Sequence, residues 1–102
     1  MEQKHYILDK DKNIQTVDML TWVKWKEDFT NNIVKQEEAN GVEVSTVFLG
    51  VDYRFDGDGA PILFETMVFG GKLDGEEDRY CTYTEAEDGH VRMKARVEKE
   101  TK

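Results

Sequence analysis

The stretch that decides the fold spans residues 42–71 and reads VEVSTVFLGVD (42–52), YRFDGDGA (53–60) and PILFETMVFGG (61–71). Two apolar runs rich in β-branched residues flank a short segment rich in Gly and Asp, which is typical of a β-hairpin. The apolar triplets VFL (47–49) and ILF (62–64) predict strands covered on both faces, since a half-exposed strand alternates. A turn centred near Asp56 and Gly57 places Phe48 opposite Glu65.

The residues before this hairpin predict a strand, an extended segment and a helix. HYILD (5–9) is typical of a short strand, and residues 14–17 are compatible with extended backbone. Asp18 is a suitable N-cap for a helix over residues 19–29, and the apolar side of that helix is expected to pack on the sheet. That side carries Met19, Trp22, Trp25 and Phe29.

Two further strands are predicted on either side of the central hairpin. Residues 33–38 form one of them, and the dipeptide Asn40-Gly41 favours a tight turn that joins it to the strand starting at Val42. After a polar loop over residues 72–78, the alternating segment RYCTY (79–83) predicts the last strand.

The chain closes with a second helix. Thr84 and Glu87 have the three-residue spacing of a capping box and predict its first turn. Its apolar side contains Ala86, His90, Met93 and Val97. Gly89 lies beside that side and permits a close approach to the sheet, at a cost in helix propensity of about 1 kcal/mol relative to Ala.

These elements predict a single α+β domain over residues 1–102. We expect a mostly antiparallel sheet of four to five strands with two helices, in the order β-α-β-β-β-β-α. A chain of 102 residues buries about two-thirds of its unfolded surface, which is enough for one independent core.

The composition is acidic, with 22 Asp and Glu against 14 Lys and Arg and a net charge of -8. This balance argues against direct nucleic-acid binding, which needs a basic face, and it suits an acidic surface that binds a basic partner. The single cysteine, Cys81, cannot form a disulfide within the chain and fits a reducing cytoplasm. No apolar run reaches membrane-spanning length and MEQKH is not a signal peptide, so we expect a cytoplasmic location and no membrane partner.

Three segments carry a family resemblance: STVFLGVD (45–52), LFETMVFGG (63–71) and RYCTYTEAEDGH (79–90). The chain resembles a family of small uncharacterised proteins encoded by bacteriophages and prophages. The resemblance implies a phage-encoded accessory protein in the host bacterial cytoplasm, and it brings no established activity. Family members often have a histidine after the Asp that ends the first core strand, whereas this chain has Tyr53.

Four polar residues are candidates for a ligand-binding site: Glu65, His90, Asp52 and Tyr80. Glu65 is flanked by apolar residues of a strand that is predicted to be buried, and a buried carboxylate must be hydrogen-bonded, paired or neutral. It is therefore a general acid, general base or ligand-binding group, or it has a structural role, either bonded to an Arg or a Trp N–H or placed at an exposed site. His90 is either a ligand or a hydrogen-bonded core histidine.

No metal, cofactor or catalytic residue is assigned. Asp52, Asp56 and Asp58 have some of the spacing of a calcium loop, but the bidentate Glu at loop position 12 is missing. No phosphate loop, nucleophile elbow or pair of histidines at helical spacing occurs in the chain.

Three functions remain open on these grounds. The favoured one is non-catalytic binding of a host or phage protein, such as a host defence or regulatory component, or of a small ligand. The first alternative is a small enzyme with a pocket of Glu65, His90 and Asp52. The second is an acidic mimic of nucleic acid. Apolar strands covered on both faces also allow self-association into a homo-oligomer. The candidate interaction surface consists of Asp74, Glu76, Glu77, Asp78, Tyr53, Asp56 and Asp58.

Overall fold

The computed structural model describes residues 4–52 and 59–100. The elements are β1 (His5–Leu8), β2 (Ile14–Val17), α1 (Met19–Glu27), a short 3-10 helix (Phe29–Asn32), β3 (Ile33–Ala39), β4 (Val42–Phe48), β5 (Phe64–Phe69), β6 (Glu77–Tyr80) and α2 (Tyr83–Glu100). Strands β1 and β2 form an antiparallel pair, and β3 to β6 form an antiparallel sheet in chain order. The predicted α+β class and element order are confirmed.

The β3–β4 hairpin follows directly from its turn residues. Asn40 and Gly41 have φ angles of 53° and 83°, the left-handed backbone that a two-residue hairpin turn of this hand requires. Ala39 pairs with Val42 on either side of the turn. The hairpin that Asn40-Gly41 predicts is therefore present.

The β4–β5 register differs by one residue from the predicted one. Phe48 lies opposite Phe64, and Glu65 lies opposite Val47. Side chains alternate between faces along a strand, so this shift of one residue moves Glu65 to the other face of the sheet. The buried set Phe64, Thr66 and Val68 determines which face points inward.

The four-stranded sheet has two unlike faces. The inner face packs against α2 and contains Val42, Val44, Thr46, Phe48, Phe64, Thr66 and Val68. Helix α2 supplies the opposing buried residues Ala86, Gly89, His90, Met93 and Val97. On the outer face Val47 is only half-buried and Phe69 is 48% exposed. The prediction of strands covered on both faces is therefore confirmed at the consecutive residues Leu63 and Phe64, both 0% exposed, and is wrong for the outer face near Phe69.

The core has two adjoining parts. Around Phe48 and Phe64 it includes Tyr6 and Leu8 from β1, while Val44 and Val68 pack against Met93 and Val97 of α2. Burial of each such side chain stabilises the fold by about 1.5–3 kcal/mol. Strand β1 thus contributes to the part of the core that also contains Ala86 of the first turn of α2.

Helix α1 is attached less closely than its sequence predicts. Asp18 caps it as expected, accepting a hydrogen bond from the Thr21 N–H at 2.7 Å. Trp25 packs edge-on against Phe48, with ring centroids 5.6 Å apart. Two members of the predicted apolar stripe, Met19 and Phe29, are nevertheless 62% and 72% exposed. The helix ends at Glu27, and Phe29 lies beyond it in the 3-10 helix that Asp28 caps, so the predicted stripe is not one continuous helix face.

Helix α2 begins earlier than predicted. Strand β6 ends at Tyr80, so the capping box is formed by Thr82 and Glu85 rather than by Thr84 and Glu87. The Thr82 hydroxyl accepts from the Glu85 N–H at 3.1 Å, and the Glu85 carboxylate accepts from the Thr82 N–H at 3.1 Å. In residues 4–52 and 59–100, no helix is long and apolar enough to cross a membrane.

Candidate functional site

A chain of buried polar side chains crosses the sheet beneath α2. Thr46 lies directly opposite Thr66, with their hydroxyl oxygens 2.5 Å apart. The Thr46 oxygen is also 2.6 Å from Nδ1 of His90, and the Tyr80 hydroxyl donates to the Thr66 oxygen at 3.1 Å. Thr46, Thr66 and His90 are fully buried, so each polar group depends on the others for hydrogen bonding.

This chain of hydrogen-bonded side chains ends at the carboxylate of Glu37, on the edge strand β3. Oε1 of Glu37 lies 2.9 Å from Nε2 of His90, and Oε2 accepts from Nζ of Lys94 at 2.9 Å. The hydrogen bond from Lys94 is the largest cause that lowers the Glu37 pKa to about 2, with His90 and Lys35 adding to it against partial desolvation. The same contact raises the pKa of Lys94. Glu37 is therefore ionised at neutral pH.

The charge of Glu37 sets the direction of every hydrogen bond along these buried side chains. An ionised carboxylate only accepts, so Nε2 of His90 carries a proton. Burial lowers the pKa of His90, against the opposing effect of Glu37, which favours the neutral ring with Nδ1 as an acceptor. Thr46 then donates to Nδ1, Thr66 donates to Thr46, and Tyr80 donates to Thr66. Each hydroxyl uses its single proton.

Thr46, His90 and Glu37 have the order hydroxyl, imidazole, carboxylate that activates a nucleophile in acyl-transfer enzymes. Such chemistry requires a substrate carbonyl at the hydroxyl oxygen. Thr46 and His90 are both 0% exposed, and α2 covers them. The arrangement in this conformation therefore fixes the helix on the sheet and offers no access to a reacting group.

The four predicted ligand-binding residues do not form one site. Tyr80 and His90 are joined through the two threonines on the inner face. Glu65 lies on the outer face, where Nε of Arg79 donates to it at 2.9 Å. Asp52 accepts from the Ile62 N–H at 3.0 Å and holds the two ends of the loop between β4 and β5. The expected pocket of Glu65, His90 and Asp52 is thus not formed, because the sheet separates Glu65 from His90.

Two acids of the predicted interaction surface have local structural roles. The Asp74 carboxylate accepts from the Gly70 N–H at 2.7 Å, which stabilises the turn after β5. Glu76 binds Arg96 of α2 at 3.1 Å. These contacts account for two carboxylates of the predicted polar loop without a partner molecule.

The rest of that surface divides between a strand and residues outside the structure's described ranges. Glu77 and Asp78 belong to β6 rather than to a loop, and they point to opposite faces of the sheet. Glu77 lies 3.6 Å from Arg79 on the outer face. The remaining members, Tyr53, Asp56 and Asp58, lie outside the described residues.

The outer face combines an apolar stripe with carboxylates. By strand register, the apolar side chains of this stripe are Ile33, Val47, Met67 and Phe69, and the row of Met67 also contains Ser45, which accepts from Gln36 at 3.1 Å. The charged residues of the same face are Glu38, Glu43, Glu65, Glu77 and Arg79. Four carboxylates thus surround apolar side chains with one guanidinium among them. No helix or strand in the described part of the chain packs over this stripe.

One end of the outer face forms an open depression of about 390 Å³. Its lining residues are Gln36, Glu37, Glu38, Gly41, Glu43 and Phe69. Glu38 lies opposite Glu43, and Glu43 lies opposite Phe69, so two carboxylates and an aromatic ring share one row of the sheet. Neither Glu38 nor Glu43 has an ion-pair partner among residues 4–52 and 59–100, and both are exposed.

Sequence reasoning missed Thr46, Thr66 and Glu37 as members of the buried chain. The two threonines are ordinary strand residues by composition, yet the alternation along each strand carries a signal: Thr66 stands between the buried positions Phe64 and Val68. Thr46 likewise stands between Val44 and Phe48. A polar residue between two inward-facing apolar ones is expected to need a buried partner.

In the described ranges, no group of three or more His, Cys, Asp or Glu side chains is arranged to hold a metal ion. No protein-family profile, curated protein or solved structure matches this chain.

Proposed function

We propose that this protein acts by non-catalytic binding of a protein partner, and that the partner binds the outer face of the four-stranded sheet. One observation carries the proposal: the stripe of Val47, Met67 and Phe69 is left uncovered by both helices and is bordered by carboxylates. Phe69 is 48% exposed, and Val47 and Met67 are half-buried. Apolar side chains left accessible within a polar rim are typical of protein–protein interaction sites.

Binding accounts for this molecule better than catalysis does. The nucleophile-like constellation of Thr46 with His90 and Glu37 is shut off from solvent, and its hydrogen-bonding capacity is satisfied internally. The outer face, in contrast, presents Glu38 and Glu43 to solvent beside Phe69. These two carboxylates are accessible to a partner.

The apolar stripe also favours a protein partner over mimicry of nucleic acid. A mimic needs carboxylates spaced like phosphates over one surface, and it has no use for Met67 or Phe69 at the centre of that surface. The four carboxylates disfavour a phosphate backbone as the ligand. The resemblance to small phage proteins supports an accessory role in a bacterial cytoplasm, with a host or phage protein as the partner.

The proposal is tested by photo-crosslinking in cells of the protein's natural source. A benzophenone amino acid replaces Phe69 in one variant and Val91 in a matched control, because Val91 is 64% exposed on α2, which lies on the opposite side of the sheet. We expect a discrete adduct from position 69 that is absent from position 91. The double variant Glu38→Lys, Glu43→Lys should abolish that adduct.

The proposal fails if position 69 gives no adduct or gives the same adducts as position 91. A partner identified in this way is then purified and titrated with the wild-type protein and with Phe69→Ser. Equal affinity for both proteins would also contradict binding at the outer face.

A further inference from the structure

The inner face shows what kind of element this sheet binds. Helix α2 lies across it with apolar residues at positions 86, 93 and 97 and with basic residues beside them. Lys94 donates to Glu37 of β3 at 2.9 Å, and Arg96 donates to Glu76 before β6 at 3.1 Å. The sheet thus holds a helix by an apolar stripe in the middle and by carboxylates at both edges.

The outer face repeats this arrangement without its helix. Val47 and Met67 occupy the two central strands, as Val44 and Val68 do on the inner face. Carboxylates stand at both edges here too, with Glu38 on β3 and Glu77 on β6, where Glu77 also lies 3.6 Å from Arg79. A helix that covers the outer face would therefore meet the same sequence of carboxylate, apolar stripe and carboxylate.

We infer that the partner element is a basic amphipathic α-helix, which lies across the outer face as α2 lies across the inner one. Its apolar side covers Val47, Met67 and Phe69, and its Lys or Arg side chains pair with the carboxylates at the edges. A guanidinium or ammonium in the depression contacts Glu38 and Glu43 and stacks on the ring of Phe69. This inference rests on the proposed function and specifies its partner.

Charge decides against a second copy of this chain as the occupant. Two outer faces related by a two-fold axis would bring four carboxylates against four, with one Arg79 on each side. Like charges that meet in a closing interface cost several kcal/mol. Helix α1 of another copy offers only one exposed lysine, Lys24, against four carboxylates, since Lys26 already donates to the Leu49 carbonyl oxygen at 2.9 Å.

The probe is a synthetic helical peptide of 18 residues, the length of α2. It carries Leu along one side and Lys or Arg on the flanks of that side. Two peptides serve as controls: one has Glu in place of every Lys or Arg, and one has the same composition scrambled so that no apolar side remains. Binding to the full-length protein is measured by calorimetry, and the contact surface is mapped by amide chemical shifts.

Only the first peptide is expected to bind, with shifts concentrated at Val47, Met67 and Phe69. Phe69→Ser, and separately the double variant Glu38→Lys, Glu43→Lys, should each weaken binding by about tenfold or more. A charge-matched control, Asp11→Lys with Glu27→Lys, changes two exposed acids away from the outer face and should leave the affinity unchanged.

Four results would overturn the inference. Equal binding of the scrambled peptide would show general attraction of cations, and shifts centred on Met19 and Leu20 would place the helix site on α1. Concentration-dependent dimerisation abolished by Phe69→Ser would make a second copy the occupant. If crosslinking from position 69 identifies a partner that binds through no basic helix, the proposed function stands and this inference alone is wrong.

Discussion

Thr46 and Thr66 face each other across the β4–β5 ladder, with their hydroxyl oxygens 2.5 Å apart under helix α2. This pair links Tyr80 of β6 to His90 of α2, and His90 also bonds Glu37 of β3, so a single line of hydrogen bonds ties the helix to all four strands of the sheet. Each hydrogen bond along the line has one possible direction, because the ionised Glu37 at its end can only accept. The line therefore acts as a connection that requires all its members.

Thr46→Val should destabilise the fold by about 1–3 kcal/mol, because it leaves Nδ1 of His90 without a donor and the Thr66 hydroxyl without an acceptor. Valine has nearly the same shape, so little packing is lost. Urea unfolding measures the change in the free energy of unfolding. Thr16→Val, on the exposed side of β2, serves as the control and should change stability little. Equal stability of the two variants would show that the line contributes nothing.

The strands and helices could be predicted from the sequence, but the pairing register between β4 and β5 could not. The apolar stripe of α2 and the Asn40-Gly41 turn were predictable because local spacing and turn chemistry determine them. The residue of β5 that pairs with Phe48 was not predictable, because it depends on how many residues lie in the loop between β4 and β5. A register shift of one residue places Glu65 on the outer face, so the predicted pocket of Glu65, His90 and Asp52 is not formed.

The capping of α2 shows the same ambiguity at smaller scale. Thr82 with Glu85 and Thr84 with Glu87 both match the capping-box spacing, and only the end of β6 at Tyr80 selects the first pair. Thr82→Ala should cost about 1 kcal/mol of unfolding free energy, and Thr84→Ala should change it by less than about 0.5 kcal/mol. Thermal or urea unfolding of the two variants compares them directly. The reverse ranking would mean that α2 starts two residues later.

Gly89→Ala should be destabilising although alanine is the better helix former. A Cβ at this position would lie 2.2 Å from the ring of Tyr80, which is only 7% exposed and cannot swing away. The overlap is expected to cost about 1–3 kcal/mol, more than the propensity gain of about 1 kcal/mol. Asp88→Ala, one residue earlier on the exposed side, is the control. A Gly89→Ala protein more stable than wild type would contradict the close packing of α2 on β6.

Acid should weaken the fold first through His90. Burial lowers its pKa below the ordinary 6.5, so the unfolded chain takes up a proton before the folded one does. The stability due to the neutral ring is complete above pH 6.5 and decreases as the pH falls through the lower folded value. His90→Gln should reduce the slope of unfolding free energy against pH in that window. Identical slopes for wild type and His90→Gln would contradict a buried neutral His90.

A second, more acidic loss of stability should come from Glu37. Its pKa is lowered from 4.5 to about 2, so its contribution is present above pH 4.5 and is lost as the pH falls through about 2. Glu37→Gln should therefore be less stable than wild type at pH 7, because His90 and Lys94 lose their charged acceptor. The difference should shrink steadily below pH 4.5, as protonation makes the wild-type side chain neutral too. Glu38→Gln, the next residue along β3, changes the same chemical group on the outer face, where no ion pair holds it within the described residues. Urea titrations of the three proteins from pH 7 to about pH 3 make the comparison. If the difference in unfolding free energy between wild type and Glu37→Gln stays constant over this range, the charge of Glu37 does not hold α2 to the sheet.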